Sequence, residues 1–127
     1  MNREKVIFAF FIVLALTVNF GFFIGDIGNP DHHNVYELFA AIVVSLIATV
    51  LKFGDRTHIG AVLLATSLVA DLQLVAAAFL WGYAEQVSAA GLTAATMASV
   101  VSLSAGALLA NVTSVILLMV ETIMIRR

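Results

Sequence analysis

The sequence predicts an all-α membrane protein of four transmembrane helices, a helical-bundle protomer with both termini in the cytoplasm, and three observations carry that expectation. Of 127 residues, 62% are hydrophobic and 11% charged, with a mean hydropathy of +1.09, far outside the composition of a soluble domain. Four apolar runs, at about 6–24, 35–51, 59–84 and 93–125, occupy nearly the whole chain. Each approaches or exceeds the ~20 residues that cross a hydrocarbon layer about 30 Å thick. All 6 Lys and Arg residues (Arg3, Lys5, Lys52, Arg56, Arg126, Arg127) fall on one side of a four-span layout, the side that the positive-inside rule makes cytoplasmic. Asp26, Asp31, Glu37 and Glu85 fall on the other side, so the outer face is acidic.

The first run, VIFAFFIVLALTVNFGFFI, follows a basic start, but it is longer than a signal-peptide core and is followed by GDIGNPD instead of small residues. It therefore reads as a retained helix, with Asn19 as its strongly polar interior residue. The turn-forming GDIGNPDHHN ends it, and Asp31 or Asn34 is placed to cap the second helix. That helix has Glu37 in its first turn, where the helix dipole favours an anion, and Ser45 and Thr49 in its inner half. In KFGDRTH, Gly54 suits a helix end and Asp55 or Thr57 a helix start. The third helix ends with Trp81 and Tyr83, expected as an interfacial aromatic belt. The fourth, at roughly 50 Å, is longer than a bilayer requires and should tilt or project.

The chain is organised around Asp71, near the middle of the third run, where inserting a carboxyl costs about 2.5–3.5 kcal/mol on translocon scales. From the inner helix ends, Asn19, Asp71 and Asn111 all lie at a depth of about 20 Å. Three polar side chains from three helices thus share one layer. One reading is a midplane proton or cation site; the other is hydrogen-bonding glue between helices, worth about 0.6–2 kcal/mol and transporting nothing. Ser67 shares the face of Asp71, whereas Thr66 and Gln73 lie on roughly the opposite one. A four-helix protomer is expected to cover one polar face and a neighbouring subunit the other.

On the fourth helix, Ala90, Ala94, Ala98, Ser102, Gly106, Ala110 and Ser114 recur at every fourth position, a small-residue ridge that admits close helix approach. Ala98 to Ser114 are therefore a candidate homo-oligomer interface. Asp26, Asp31 and Glu37 form a candidate outer mouth that concentrates cations. His32 and His33 add metal-ligating types there, but the spacing lacks a zinc pattern and no metal site is assigned. Glu121, near the inner end of the fourth helix, is expected to snorkel or pair with a nearby Lys or Arg.

The absence of Cys removes disulfides and thiolate sites, and no basic cluster suits nucleic acid. No TVGYG filter, P-loop, nucleophile elbow or basic voltage-sensor ladder is present, so neither a cofactor nor enzymatic activity is expected. In size and span number the chain is similar to the small multidrug transporters. Those carry their essential Glu in the first helix, and residues 6–24 contain no acid, so no family follows. The expectation is a multi-pass protein of the cell (inner) membrane whose partners are the bilayer, further copies of itself and a small cation or proton. It conducts through Asp71, Asn19, Asn111, Ser67 and Gln73. The alternative is a non-conducting accessory or assembly subunit of a larger membrane complex.

Overall fold

The computed structural model describes residues 3–24, 33–54, 57–87 and 89–126. They form four helices: α1 (Arg3–Phe23), α2 (Val35–Lys52), α3 (His58–Gln86) and α4 (Ala94–Arg126). All four are long and apolar enough to cross a membrane. Local chemistry sets their ends. The Asn34 side chain accepts a hydrogen bond from the Tyr36 N–H at 2.8 Å, Thr57 Oγ1 from the Gly60 N–H at 3.0 Å, and Thr93 Oγ1 from the Thr96 N–H at 3.1 Å. Each satisfies a donor that the first helical turn leaves open. Asp31 and Asp55, the other capping candidates, lie outside the described residues. Beyond α2 the chain turns through Gly54 at φ +91°, a left-handed conformation that a side chain disfavours.

The helices pack in a ring, each against its neighbours in sequence, with α1 closing on α4 and the α3–α4 contact the most extensive. Successive helices run antiparallel. On the lipid side stand large apolar residues such as Phe10, Leu72, Phe79, Leu109 and Ile116, while Asn19, Ser45, Thr49, Ser67, Asp71, Ser104, Asn111 and Ser114 are buried inside. In a bilayer this inversion is the expected one: lipid tails solvate Leu and Phe as well as a protein core does, and polar groups must find partners within the protein.

Two apolar cores result, with a polar layer between them. The outer core contains Phe22, Leu38, Leu74, Trp81, Met97 and Val100; the inner contains Phe8, Ile12, Leu63 and Leu118. Along α2, Ser45 falls between Ala41 of the outer core and Ala48 of the inner. Along α3, Ser67 falls between Ala70 and Leu63, and along α4, Asn111 and Ser114 fall between Ala110 and Leu118. Trp81 is an exception to the expected aromatic belt. It turns inward, its ring 6.1 Å from that of Phe22 and its indole N–H donating to Glu85 at 2.8 Å, leaving Tyr36 and Tyr83 exposed.

The small-residue ridge of α4 does not keep to one face. Positions four apart advance about 40° beyond a full turn, so the row winds round the helix. Ala94 and Ser102 are exposed, Ala98 and Gly106 half-buried, and Ala110 and Ser114 buried within the protomer. At Gly106 a Cβ would come within 2.5 Å of the Gln73 carboxamide, so the absence of a side chain there accommodates α3. The inner half of the ridge is thus an α3–α4 contact, which corrects its reading as a continuous surface between subunits. Gly106→Leu is expected to lower the unfolding free energy by about 1–3 kcal/mol through overpacking. Gly106→Ala should cost less because the Gln73 side chain can swing aside; denaturant titration in detergent measures both.

Candidate functional site in the midplane polar layer

Asp71 is carried on the face of α3 that also buries Ser67, Ala70 and Leu74, so its carboxyl points into the bundle. Its partners come from α2. Ser45 Oγ donates to Asp71 Oδ1 at 2.6 Å, and Thr49 Oγ1 lies 2.5 Å from Oδ2. Four residues apart on a helix, the two hydroxyls share a face and reach the two oxygens of one carboxyl. Thr49 Oγ1 is also 3.0 Å from the backbone oxygen of Ser45. Sequence reasoning noted this hydroxyl pair without placing it in the site; the usable signal was its i, i+4 spacing on a short helix next to a buried acid.

The two Asn residues expected beside Asp71 are placed differently. Asn19 Oδ1 accepts from Ser104 Oγ of α4 at 2.6 Å, which makes α1–α4 its contact. Ser104 lies seven residues from Asn111 along α4, so Asn19 sits about 10 Å nearer the outer end than Asn111 does. Asn111 is level with Asp71. The Thr66–Ser114 bond, 2.6 Å, fixes the antiparallel register of α3 and α4 and sets Asn111 opposite position 69, midway between Ser67 and Asp71. Asn111 and Ser67 are each 0% exposed, and Asn111 Oδ1, Asn111 Nδ2 and Ser67 Oγ have no hydrogen-bond partner among the described residues. Asn19 Nδ2 and Gln73 Oε1 are in the same condition. Asn111 and Ser67, near the level of Asp71, therefore hold donors and acceptors with spare capacity.

Thr66 and Gln73, the second polar face of α3, both meet α4, the first through Ser114 and the second against Gly106. Thr66 and Gln73 are each half-buried, so α4 of the same protomer supplies contacts to that face of α3 as well.

At the inner end, Lys5 of α1 and Glu121 of α4 pair at 3.0 Å, as the position of Glu121 led one to expect. The Lys52 ammonium stands 4.4 Å from the centre of the Phe8 ring and is buried, a cation–π contact that closes the space below the polar layer. At the outer end, the buried His33 ring has Nδ1 2.6 Å from the Phe22 carbonyl oxygen, and the Glu37 carboxylate lies over Gly21. Of the expected outer mouth, Asp26 and Asp31 lie outside the described residues, as does His32. Among the described residues no three His, Cys, Asp or Glu side chains converge as metal ligands.

Fold and site together define a multi-pass helical membrane protein whose bundle holds a carboxyl between two apolar cores. The chain belongs to a family of unknown function, DUF6394, whose profile matches residues 32–122, a stretch that takes in α2, α3 and most of α4. No curated protein and no solved structure gives a match.

The two amides are expected to respond differently to substitution. A double-mutant cycle on Asn19 and Ser104 should give a coupling of about 0.6–1.7 kcal/mol. Asn111→Leu should leave stability unchanged or raise it by about 1–3 kcal/mol, because it removes polar atoms without partners. Unfolding in mixed detergent is the measurement for both.

Proposed function

We propose that the protein passes a small cation, H⁺ included, across the membrane, with Asp71 as the central binding group. The observation that carries this reading is the Asp71 carboxyl itself, buried within the four-helix bundle and hydrogen-bonded to Ser45 and Thr49, with Asn111 and Ser67 near its level holding polar atoms without partners among the described residues. Ionisable groups at such depth are costly and mark ion pathways and proton relays. Apolar cores on both sides separate the layer from either face, the arrangement of an occluded carrier site more than of an open pore. From the acidic outer end, Glu37 and Glu85 raise the local cation concentration; from the basic end, Lys5, Lys52 and Glu121 control exit.

In this reading the basic end faces the cytoplasm of a cell whose inner membrane the protein spans, as the positive-inside rule requires. Self-association uses the exposed part of the α4 ridge, around Ala94, Ala98 and Ser102, and the path does not depend on it.

A second reading has its own support. The bonds Asn19–Ser104, Asp71–Ser45, Asp71–Thr49 and Thr66–Ser114 each join two helices, which suits an accessory subunit whose polar layer only fixes the bundle. Flux into proteoliposomes separates the two, with a trapped pH dye and with monovalent and divalent cations offered in turn. Asp71→Asn and Asp71→Leu should abolish a flux that the wild type shows. Undiminished flux in both folded variants removes Asp71 as the site, and no flux of any ion in the wild type transfers the assignment to the accessory subunit. A reporter fused after Arg127 should be cytoplasmic.

A further inference from the structure

Thr49 has one hydroxyl hydrogen and two acceptors within reach, Asp71 Oδ2 at 2.5 Å and the Ser45 backbone oxygen at 3.0 Å. It cannot donate to both. With Asp71 ionised, the Ser45 and Thr49 hydroxyls both donate to the carboxylate. With a proton on Oδ2, that proton is donated to Thr49 Oγ1, the Thr49 hydrogen turns to the Ser45 backbone oxygen, and Ser45 Oγ continues to donate to Oδ1. Every donor of the triad has an acceptor in either arrangement, and the two differ by one proton and one hydroxyl rotation, with no heavy atom displaced. We propose that Asp71, Ser45 and Thr49 form a proton-binding triad in which the Thr49 hydroxyl switches between carboxyl and backbone, so that the species carried at Asp71 is H⁺.

This inference rests on the pathway reading and names its substrate. The proton balance is simple. An O–H bond forms on Asp71 Oδ2 with a proton taken from water on one side, and breaks when that proton returns to water on the other.

The charged surroundings leave Asp71 as the exchanging group. The other titratable and charged residues of the helices round it stand toward the helix ends: Arg3, Glu4 and Lys5 on α1, Tyr36, Glu37 and Lys52 on α2, His58, Tyr83 and Glu85 on α3, and Glu121 and Arg126 on α4. Lys52 lies one turn beyond Thr49 on the buried face of α2. Thr49 acts through Asp71 and is a positioning residue; its loss should slow proton exchange without removing the carboxyl.

The test is proton flux in proteoliposomes driven by an imposed membrane potential, for the wild type, Thr49→Val, Thr49→Ser and Asp71→Asn, each confirmed as folded by size-exclusion chromatography. Proton flux should be abolished in Asp71→Asn, fall about tenfold or more in Thr49→Val, and largely return in Thr49→Ser, which restores the hydroxyl. Wild-type flux should also be slower in D₂O. Should Thr49→Val not fold, Thr49→Ser and the isotope effect still decide, since loss of flux in Thr49→Ser or equal rates in D₂O overturn the switch. Full proton flux in folded Thr49→Val overturns it while leaving the pathway standing. Metal-cation flux without proton flux, abolished in Asp71→Asn, also overturns the triad and keeps the pathway. Proton flux that persists in Asp71→Asn defeats both.

Discussion

The bundle depends on giving one carboxyl its partners in a place where water does not supply them. Asp71 takes both from α2, and that requirement fixes the height of α2 against α3 and the rotation of each about its own axis. A slip of one residue on α2 would turn Ser45 and Thr49 about 100° away from the carboxyl. Apolar contacts alone would define this register weakly, because lipid tails compete for the same surfaces. The other helices are fixed by the same device. Thr66 and Ser114 set α4 against α3, with Gly106 making room for Gln73, and Asn19 with Ser104 and Lys5 with Glu121 close α1 on α4 at two levels. The register of the bundle is written in a handful of polar pairs.

How much of this could be read from the chain follows from what depends on one dimension and what depends on three. Length and composition determine whether a segment can cross a bilayer, so the four helices and most of their caps were legible: Asn34 and Thr57 cap as their side chains suggest, and Gly54 supplies the left-handed turn. Depth is also one-dimensional, and the fixed helical rise placed Asn111 opposite the turn that carries Asp71. The arithmetic set Asn19 too low, because it measured from helix ends that need not be level. The Ser104 contact shows the offset.

Azimuth was not legible. The helices are apolar nearly all round, so no stripe declares which face turns inward, and the hydroxyls that satisfy Asp71 resemble any others in sequence. The period-four row on α4 misled for a related reason: a helix of 3.6 residues per turn carries such a row round its surface, and the same residues serve the protomer at one end and stand exposed at the other. Trp81 was expected at the headgroups from its position near a helix end, but an acceptor one turn away, Glu85, and the Phe22 ring drew it inside.

The shortness of α2 has an electrical consequence. Its 18 residues end at Lys52, three positions past Thr49, while fourteen separate Thr49 from Val35. Asp71 bonds both Ser45 and Thr49, so along this wall the carboxyl is about 7.5 Å from the basic end and about 18 Å from the acidic one. A transmembrane voltage falls mostly across the longer of these two stretches. In the proposed pathway, a charge reaching Asp71 from the acidic end would cross about 70% of the α2 length, worth about 1.6 kcal/mol per 100 mV. Asp71 stands near the middle of α3, yet its bonded partners lie in the basic half of the shorter α2.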